Sequence, residues 1–219
     1  MRIKLLALMV SAVAFIATSA HAGHHGTKSA VVPEITQTAV MTGLENPWDV
    51  ALLDDGTMFY TEKCKGFSVR MPNGDVHALY GMKDSSGYAS MGSDLHCSNQ
   101  AGMLGLAVDP DFAKNRRIYV ASASTKYHGD GCKTNFERCD GNIVMRFEVS
   151  KNFKSVSART DIVKDIQFKP FESNHPFGGN GAHNGNRPTF GPEGWLWITT
   201  GDRHRGVCPQ SPTLICGKV

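Results

Sequence analysis

The segment GAHNGNRPTFGPEGWLWITTGDRHRG, Gly181 to Gly206, places His183 and Arg187 in a Gly/Asn-rich loop and Asp202 ahead of a second, cation-rich loop. An imidazole titrates near neutral pH, so it can take a proton from a hydroxyl and return it. A carboxylate beside it would orient the ring and stabilise the imidazolium. The same residue types also suit a solvated surface, so spacing has to decide. Between the loops lie Arg187–Phe190, the turn Gly191-Pro192-Glu193-Gly194 and Trp195–Thr200. Two strands joined by a tight turn bring the flanking loops to one end of a sheet.

The same hairpin pattern occurs twice earlier. Trp48–Leu53 and Thr57–Glu62 flank Asp54-Asp55-Gly56, and Leu104–Val108 is followed by Asp109-Pro110-Asp111 and Ile118–Ser122. Single strands, Phe67–Arg70 and Asn142–Val149, lie between, and no sustained helical period appears. Similar hairpins separated by long loops predict an all-β fold of stacked sheets, a propeller rather than a sandwich. About three blades are present, fewer than the roughly four to eight of a closed ring. Trp195 and Trp197, two apart, are expected on one strand face, packing between blades. Pro188 removes a ladder donor, so its strand is predicted to be an edge or to carry a bulge there.

The chain has 219 residues, 41% hydrophobic and 20% charged, with formal charge +3. That is globular composition, and the charge makes no case for a nucleic-acid partner. Residues 1–22 read as a signal peptide: Arg2 and Lys4, an apolar run Leu5–Ile16, then Ala20-His21-Ala22 as cleavage site. Residues 23–42 read as a flexible leader and 43–219 as the propeller portion. A periplasmic or secreted protein with no membrane span after cleavage is expected. A mature start at Gly23-His24-His25 would offer an amine, two amides and an imidazole to square-planar Cu(II) or Ni(II).

Export makes disulfides the expected state of the six cysteines. Cys132–Cys139 and Cys208–Cys216 read as local staples, which leaves Cys64 with Cys97. Each would stabilise by roughly 2–3 kcal/mol. Tyr127, His128, Asp130 and Asp140 surround the second-blade staple and supply oxygen ligands of the kind calcium uses, although a solvated loop is the simpler reading.

Four blocks in order, GLENPWDVALLDDGTMFYTEK, QAGMLGLAVDPDFAKNRRIYV, HNGNRPTFGPEGWLWITTGD and the terminal GKV, resemble the glucose/sorbosone dehydrogenase family. The resemblance runs from about Gly43 to Val219. It implies a six-bladed propeller cut roughly in half, from an exported enzyme that oxidises a sugar or sugar aldehyde to lactone or acid. Pyrroloquinoline quinone (PQQ) and calcium are the implied cofactors, and a quinone or cytochrome c the implied electron acceptor. His183 matches the family's catalytic base, Asp202 its partner, Gln100 a cofactor contact, and Arg187 the motif arginine at the cofactor side. The calcium ligands and the basic residues that hold the quinone's carboxylates lie later in family members. These 219 residues alone are therefore expected to be inactive. A non-redox propeller, such as a calcium-dependent lactonase or a binding scaffold, is the alternative.

Overall fold

A computed structural model describes residues 33–127, 141–167, 181–204 and 206–219. The signal peptide, the Gly23-His24-His25 terminus, the Cys132–Cys139 staple and the cluster of His128, Asp130 and Asp140 lie outside the described residues. The chain divides into two compact units, Met1–Val40 and Met41–Val219. Residues 33–40 of the first have no regular secondary structure.

The second unit is built from antiparallel meanders. β1 (Pro47–Leu52), β2 (Met58–Glu62), β3 (Gly66–Arg70) and β4 (Val76–Met82) form the first sheet, and a short β5 (Ser90–Gly92) pairs parallel to β4. β6 (Met103–Val108), β7 (Arg117–Ser124), β8 (Gly141–Glu148) and β9 (Thr160–Ile166) form the second, with a one-turn helix α1 (Phe112–Asn115) between β6 and β7. β10 (Gly185–Phe190) and β11 (Leu196–Thr200) make a two-stranded hairpin, followed by one turn of helix, α2 (Val207–Gln210). The three predicted hairpins are therefore β1–β2, β6–β7 and β10–β11. Among the described residues, two sheets of four and five strands and the opening hairpin of a third stand where about three blades were expected, and none of them closes on itself.

Local chemistry explains the turns. Gly56 and Gly194 take positive φ (85° and 80°), a conformation glycine adopts without steric cost, and each closes its hairpin by donating to the carbonyl three residues back. Alternating apolar residues then bury themselves between the first and second sheets. Phe59, Phe67 and Leu79 meet Ile118, Met145 and Phe147 there, with Phe67 and Phe147 rings 5.3 Å apart. Across the other face of the second sheet, Ala121, Val144 and Ile166 pack toward Ile198 of β11.

The first strand of each sheet is central. β6 packs against both β1 and β10. Gly105 permits the β10 contact: a Cβ there would come within 2.5 Å of the Asn186 carbonyl oxygen and 2.7 Å of Arg187 Cα. Pro188 sits in β10, which among the described residues pairs with β11 alone, beside a register shift between Gly185 and Arg187, which meets the edge-or-bulge expectation. Cys64 and Cys97 are bonded, as are Cys208 and Cys216, in the two pairings expected.

The expected burial of Trp195 and Trp197 is not seen. Trp195 precedes β11 and is 70% exposed, and Trp197 is 47% exposed. β11 turns Leu196 and Ile198 partly inward, and no described sheet covers the opposite face. The tryptophans line a shallow apolar groove with Val163, Ile166 and Ile215. Trp48, the third tryptophan of the chain, is also half exposed. Fluorescence emission close to that of tryptophan in water, readily quenched by acrylamide, is the expected result. Blue-shifted, protected emission would show the groove covered in solution.

Candidate active site

Gly185 pairs with Thr200, so the residues before β10 and after β11 leave the sheet at the same end. Two turns of unusual backbone follow from this. His183, Asn186, Arg203 and His204 all have φ between +55° and +66°. Non-glycine residues in the left-handed region store strain that the surrounding structure must hold, and such residues concentrate at functional sites. The two loops touch through their backbones. Gly201 N–H donates to the Asn184 carbonyl (2.9 Å), and the Gly201 carbonyl accepts from Gly217 N–H (2.8 Å). The Lys218 ammonium caps the Cys208 and Pro209 carbonyls (3.1 and 2.8 Å), fastening the stapled loop that follows Asp202.

This framework brings His183 Nδ1 to 2.7 Å from Asp202 Oδ1. The same carboxylate oxygen accepts the His204 backbone N–H at 3.1 Å. The hydrogen bond from His183, joined by that backbone bond, holds the Asp202 carboxyl below the usual carboxylate range against the opposing effect of burial. Asp202 is therefore ionised at neutral pH. An ionised partner accepts, so His183 carries its proton on Nδ1 and presents a lone pair on Nε2. Both side chains are about two-fifths exposed, within reach of a small molecule.

Gln100 joins the pair from the loop before β6. Its amide oxygen accepts the His183 backbone N–H at 2.9 Å, fixing the left-handed turn that aims the imidazole. Arg187 goes elsewhere. Its guanidinium grips the carboxylate of Asp49 on β1, with Nε 3.2 Å from Oδ2 and a second, shorter contact to Oδ1. Asp49 Oδ2 also accepts Leu106 N–H from β6 at 3.1 Å. One buried carboxylate thus ties β1, β6 and β10 together, while the Arg187 side chain stays 65% exposed.

Three further residues belong to the site. His204 Nε2 lies 2.6 Å from His183 Nε2, with the ring centroids 3.5 Å apart. Asn142 on β8 donates its amide to Asn184 Oδ1 at 3.0 Å beneath the loop. Asn184 is 4% exposed. The cation-rich loop was visible in the sequence, but nothing in it separated His204 from its neighbours. Asn142 carried no signal.

The exposed donor on this face is the Gln100 amide nitrogen, which can meet an oxygen of a planar, anionic quinone; the His183 Nδ1–H is taken by Asp202. Among the described residues no group of three or more His, Cys, Asp or Glu side chains is placed to hold a metal ion.

Successive antiparallel sheets with their first strands side by side are the arrangement of a partial β-propeller, and the His–Asp pair lies at one end of its third hairpin. The glucose/sorbosone dehydrogenase profile matches residues 44–219. The chain belongs to the glucose/sorbosone dehydrogenase family.

Aldose sugar dehydrogenase YliI of Escherichia coli K12 is 25% identical over 176 residues, 80% of this chain and 40% of that protein. The PQQ-bound aldose sugar dehydrogenase of Streptomyces coelicolor superposes with TM-score 0.62 at 20% identity, over 82% of this chain and 45% of that one. An oxidoreductase described as a glucose dehydrogenase from Thermus thermophilus gives TM-score 0.58 at 25% identity, over 81% and 43%. The chain thus spans less than half the length of these relatives.

Proposed function

We propose that the protein bearing this segment oxidises an aldose or sugar aldehyde to its lactone or acid, with PQQ as the oxidant and His183 as the base. The observation that carries this reading is the 2.7 Å His183–Asp202 pair at the mouth of the third hairpin, in a chain of the glucose/sorbosone dehydrogenase family. When bound, PQQ supplies the hydride acceptor that imidazole and carboxylate lack.

The chain's own residues manage the proton. Asp202 accepts from Nδ1–H and holds the tautomer. His183 then removes the hydroxyl proton of the sugar as the carbon–hydrogen bond is lost, and Asp202 stabilises the imidazolium. Gln100 keeps the ring aimed through the backbone of residue 183. The exposed Gln100 amide and the outer part of the Arg187 guanidinium are the proposed contacts on the cofactor side. The disulfides support an oxidising compartment, periplasmic or extracellular. The final electron acceptor is proposed to be a quinone or a cytochrome c.

The test is dye reduction by a chain of full family length, given PQQ, Ca²⁺ and a panel of aldoses. Sugar-dependent reduction is expected, with kcat falling about 10²–10⁴-fold in His183→Ala. Lactone hydrolysis without added quinone, and no dye reduction, would overturn the reading in favour of a hydrolase.

A further inference from the structure

Gln100, which braces the backbone of His183, is itself braced. It stands at the tip of a short excursion, residues 97–101, between β5 and β6. Both feet of the excursion rest on Ala123 of β7. The Ala123 carbonyl accepts His96 N–H (3.4 Å), and Ala123 N–H donates to the Gly102 carbonyl (3.0 Å). Within the excursion Ser98 and Ala101 bond to each other in both directions, at 3.1 and 2.8 Å. Asn99 and Gln100 are thereby pushed out as a tight turn, with Asn99 in the left-handed region that asparagine tolerates, at φ 54°. Such a turn fixes its own shape. Two feet on one residue form a hinge, so they do not fix its angle to the sheets.

Two ties set that angle, and both come from the turn between β2 and β3. Cys64 is disulfide-bonded to Cys97, and the Lys63 ammonium donates to the Asn99 carbonyl. The same turn also meets the second foot, where the Lys63 carbonyl accepts Met103 N–H at 2.9 Å. Gly102 lets the backbones touch there, since a Cβ on it would come within 2.4 Å of the Lys63 carbonyl oxygen. On its far side the excursion carries Gln100 to the third hairpin, where Oε1 accepts His183 N–H at 2.9 Å. One covalent bond and one hydrogen bond thus connect the first sheet to the backbone of His183.

We propose that the Cys64–Cys97 disulfide is a positioning clamp for the candidate site. Together with Lys63 it sets the angle of the excursion at which the Gln100 carboxamide reaches the His183 N–H. Cys64, Cys97 and Lys63 are positioning residues that act through Gln100. The bearing of the clamp on turnover rests on the assignment of His183 as base; the clamp itself does not. A cross-link between residues 33 positions apart restricts the excursion before the Gln100–His183 bond forms, so less conformational freedom is lost when it does. Opening the disulfide leaves His183, Asp202 and Gln100 chemically intact and frees the hinge.

The experiment is residue-resolved amide hydrogen exchange on the 219-residue chain, without quinone or sugar. Three variants are compared with it: Cys64→Ala with Cys97→Ala, Gln100→Ala, and all three substitutions together. Exchange at His183 N–H is expected to rise about 5-fold when the disulfide is removed and by a similar factor in Gln100→Ala, the worth of one net hydrogen bond at about 1 kcal/mol. The triple variant should go no further, because both changes break the same bond. Gly201 N–H, bonded to the Asn184 carbonyl at the same sheet end, should exchange as before in every chain.

Three results would overturn the inference. His183 exchange could stay unchanged without the disulfide. The two effects could multiply to about 25-fold in the triple variant, as independent sites do. Or Gly201 could speed up as much as His183, which is general loosening. If the disulfide-free chain does not fold, Lys63→Met cuts the other tie. Faster exchange at His183 but not at Gly201 is then expected, and no change at His183 overturns the inference. Exchange is read without turnover, so absence of dye reduction in a chain of full family length would sink the dehydrogenase reading and leave the clamp standing, and the reverse.

Discussion

Arg159→Ala will lower the unfolding free energy by about 3–5 kcal/mol, because it takes the shielded cation from both Asp94 and Asp161 and leaves Asp161 with the half-exposed Lys126 ammonium. Arg159, just ahead of β9, is only 10% exposed. It donates to both oxygens of Asp94, each at 2.8 Å, and to both of Asp161, at 2.6 and 3.1 Å. Ser124 Oγ completes Asp94 and Tyr127 Oη completes Asp161, at 2.5 and 2.8 Å. This network ties the segment between β5 and β6 to the ends of β7 and β9, and so fixes how the chain leaves one sheet for the next. Burial alone would raise both carboxyls. The hydrogen bonds from Arg159 overcome it, with Ser124 assisting at Asp94 and Tyr127 at Asp161, and leave both below the usual carboxylate range.

The sign of the pH dependence follows. A carboxyl depressed in the folded state contributes fully above its unfolded value, near 3.9, and the contribution is lost as pH falls through the folded value. The gap between the unaltered chain and Arg159→Ala should therefore be widest at neutral pH and should close in acid. Urea midpoints at an unchanged slope would measure it. A neutral-pH gap below about 1 kcal/mol, the size of an exposed ion pair, would show that the network is not what holds the sheets together.

Gly201→Ala is expected to dismantle the candidate site while leaving every chemical group in place. A Cβ on residue 201 would stand 1.6 Å from the His183 carbonyl oxygen and 2.2 Å from its carbon, both backbone atoms that no rotamer change can move. Residue 201 is also pinned on both sides, to Asn184 and to Gly217. The two loops must part. The 2.7 Å His183–Asp202 bond goes with them. A stability loss of about 3 kcal/mol is expected, at the upper end of overpacking costs. Activity in a chain of full family length should fall by the roughly 10²–10⁴-fold assigned to the base itself. Loss of the hydrogen-bonded His183 Nδ1–H signal should accompany it. A variant with native stability and an intact His183–Asp202 signal would show that the loops do not depend on this close approach.

How much of this could be read without coordinates depends on distance along the chain. The three hairpins were legible because an Asp-Gly, Asp-Pro-Asp or Gly-x-x-Gly turn and alternating residues are local signals, decided within about a dozen positions. The His183–Asp202 encounter was legible for the same reason: one hairpin carries both residues to the same sheet end. Pro188 announced its edge because a missing N–H cannot sit inside a ladder. Gln100 could be named from the family resemblance, but its place on the His183 backbone could not. Arg187 was named for the cofactor side, and only the fold showed its guanidinium crossing 138 positions to Asp49.

The sequence by itself determined the β class, the hairpin boundaries, the two described disulfide pairings and the candidacy of one imidazole and one carboxylate. Tertiary structure alone decided that Asp49 joins three inner strands, that Arg159 sits between two carboxylates, that Trp195 and Trp197 face outward, and that His204 meets His183 nitrogen to nitrogen. The division has a physical cause. Turn preference and alternation act between neighbours, whereas a side chain's partner across sheets depends on stagger, on left-handed loop residues such as His183 and His204, and on which glycine lets two backbones touch.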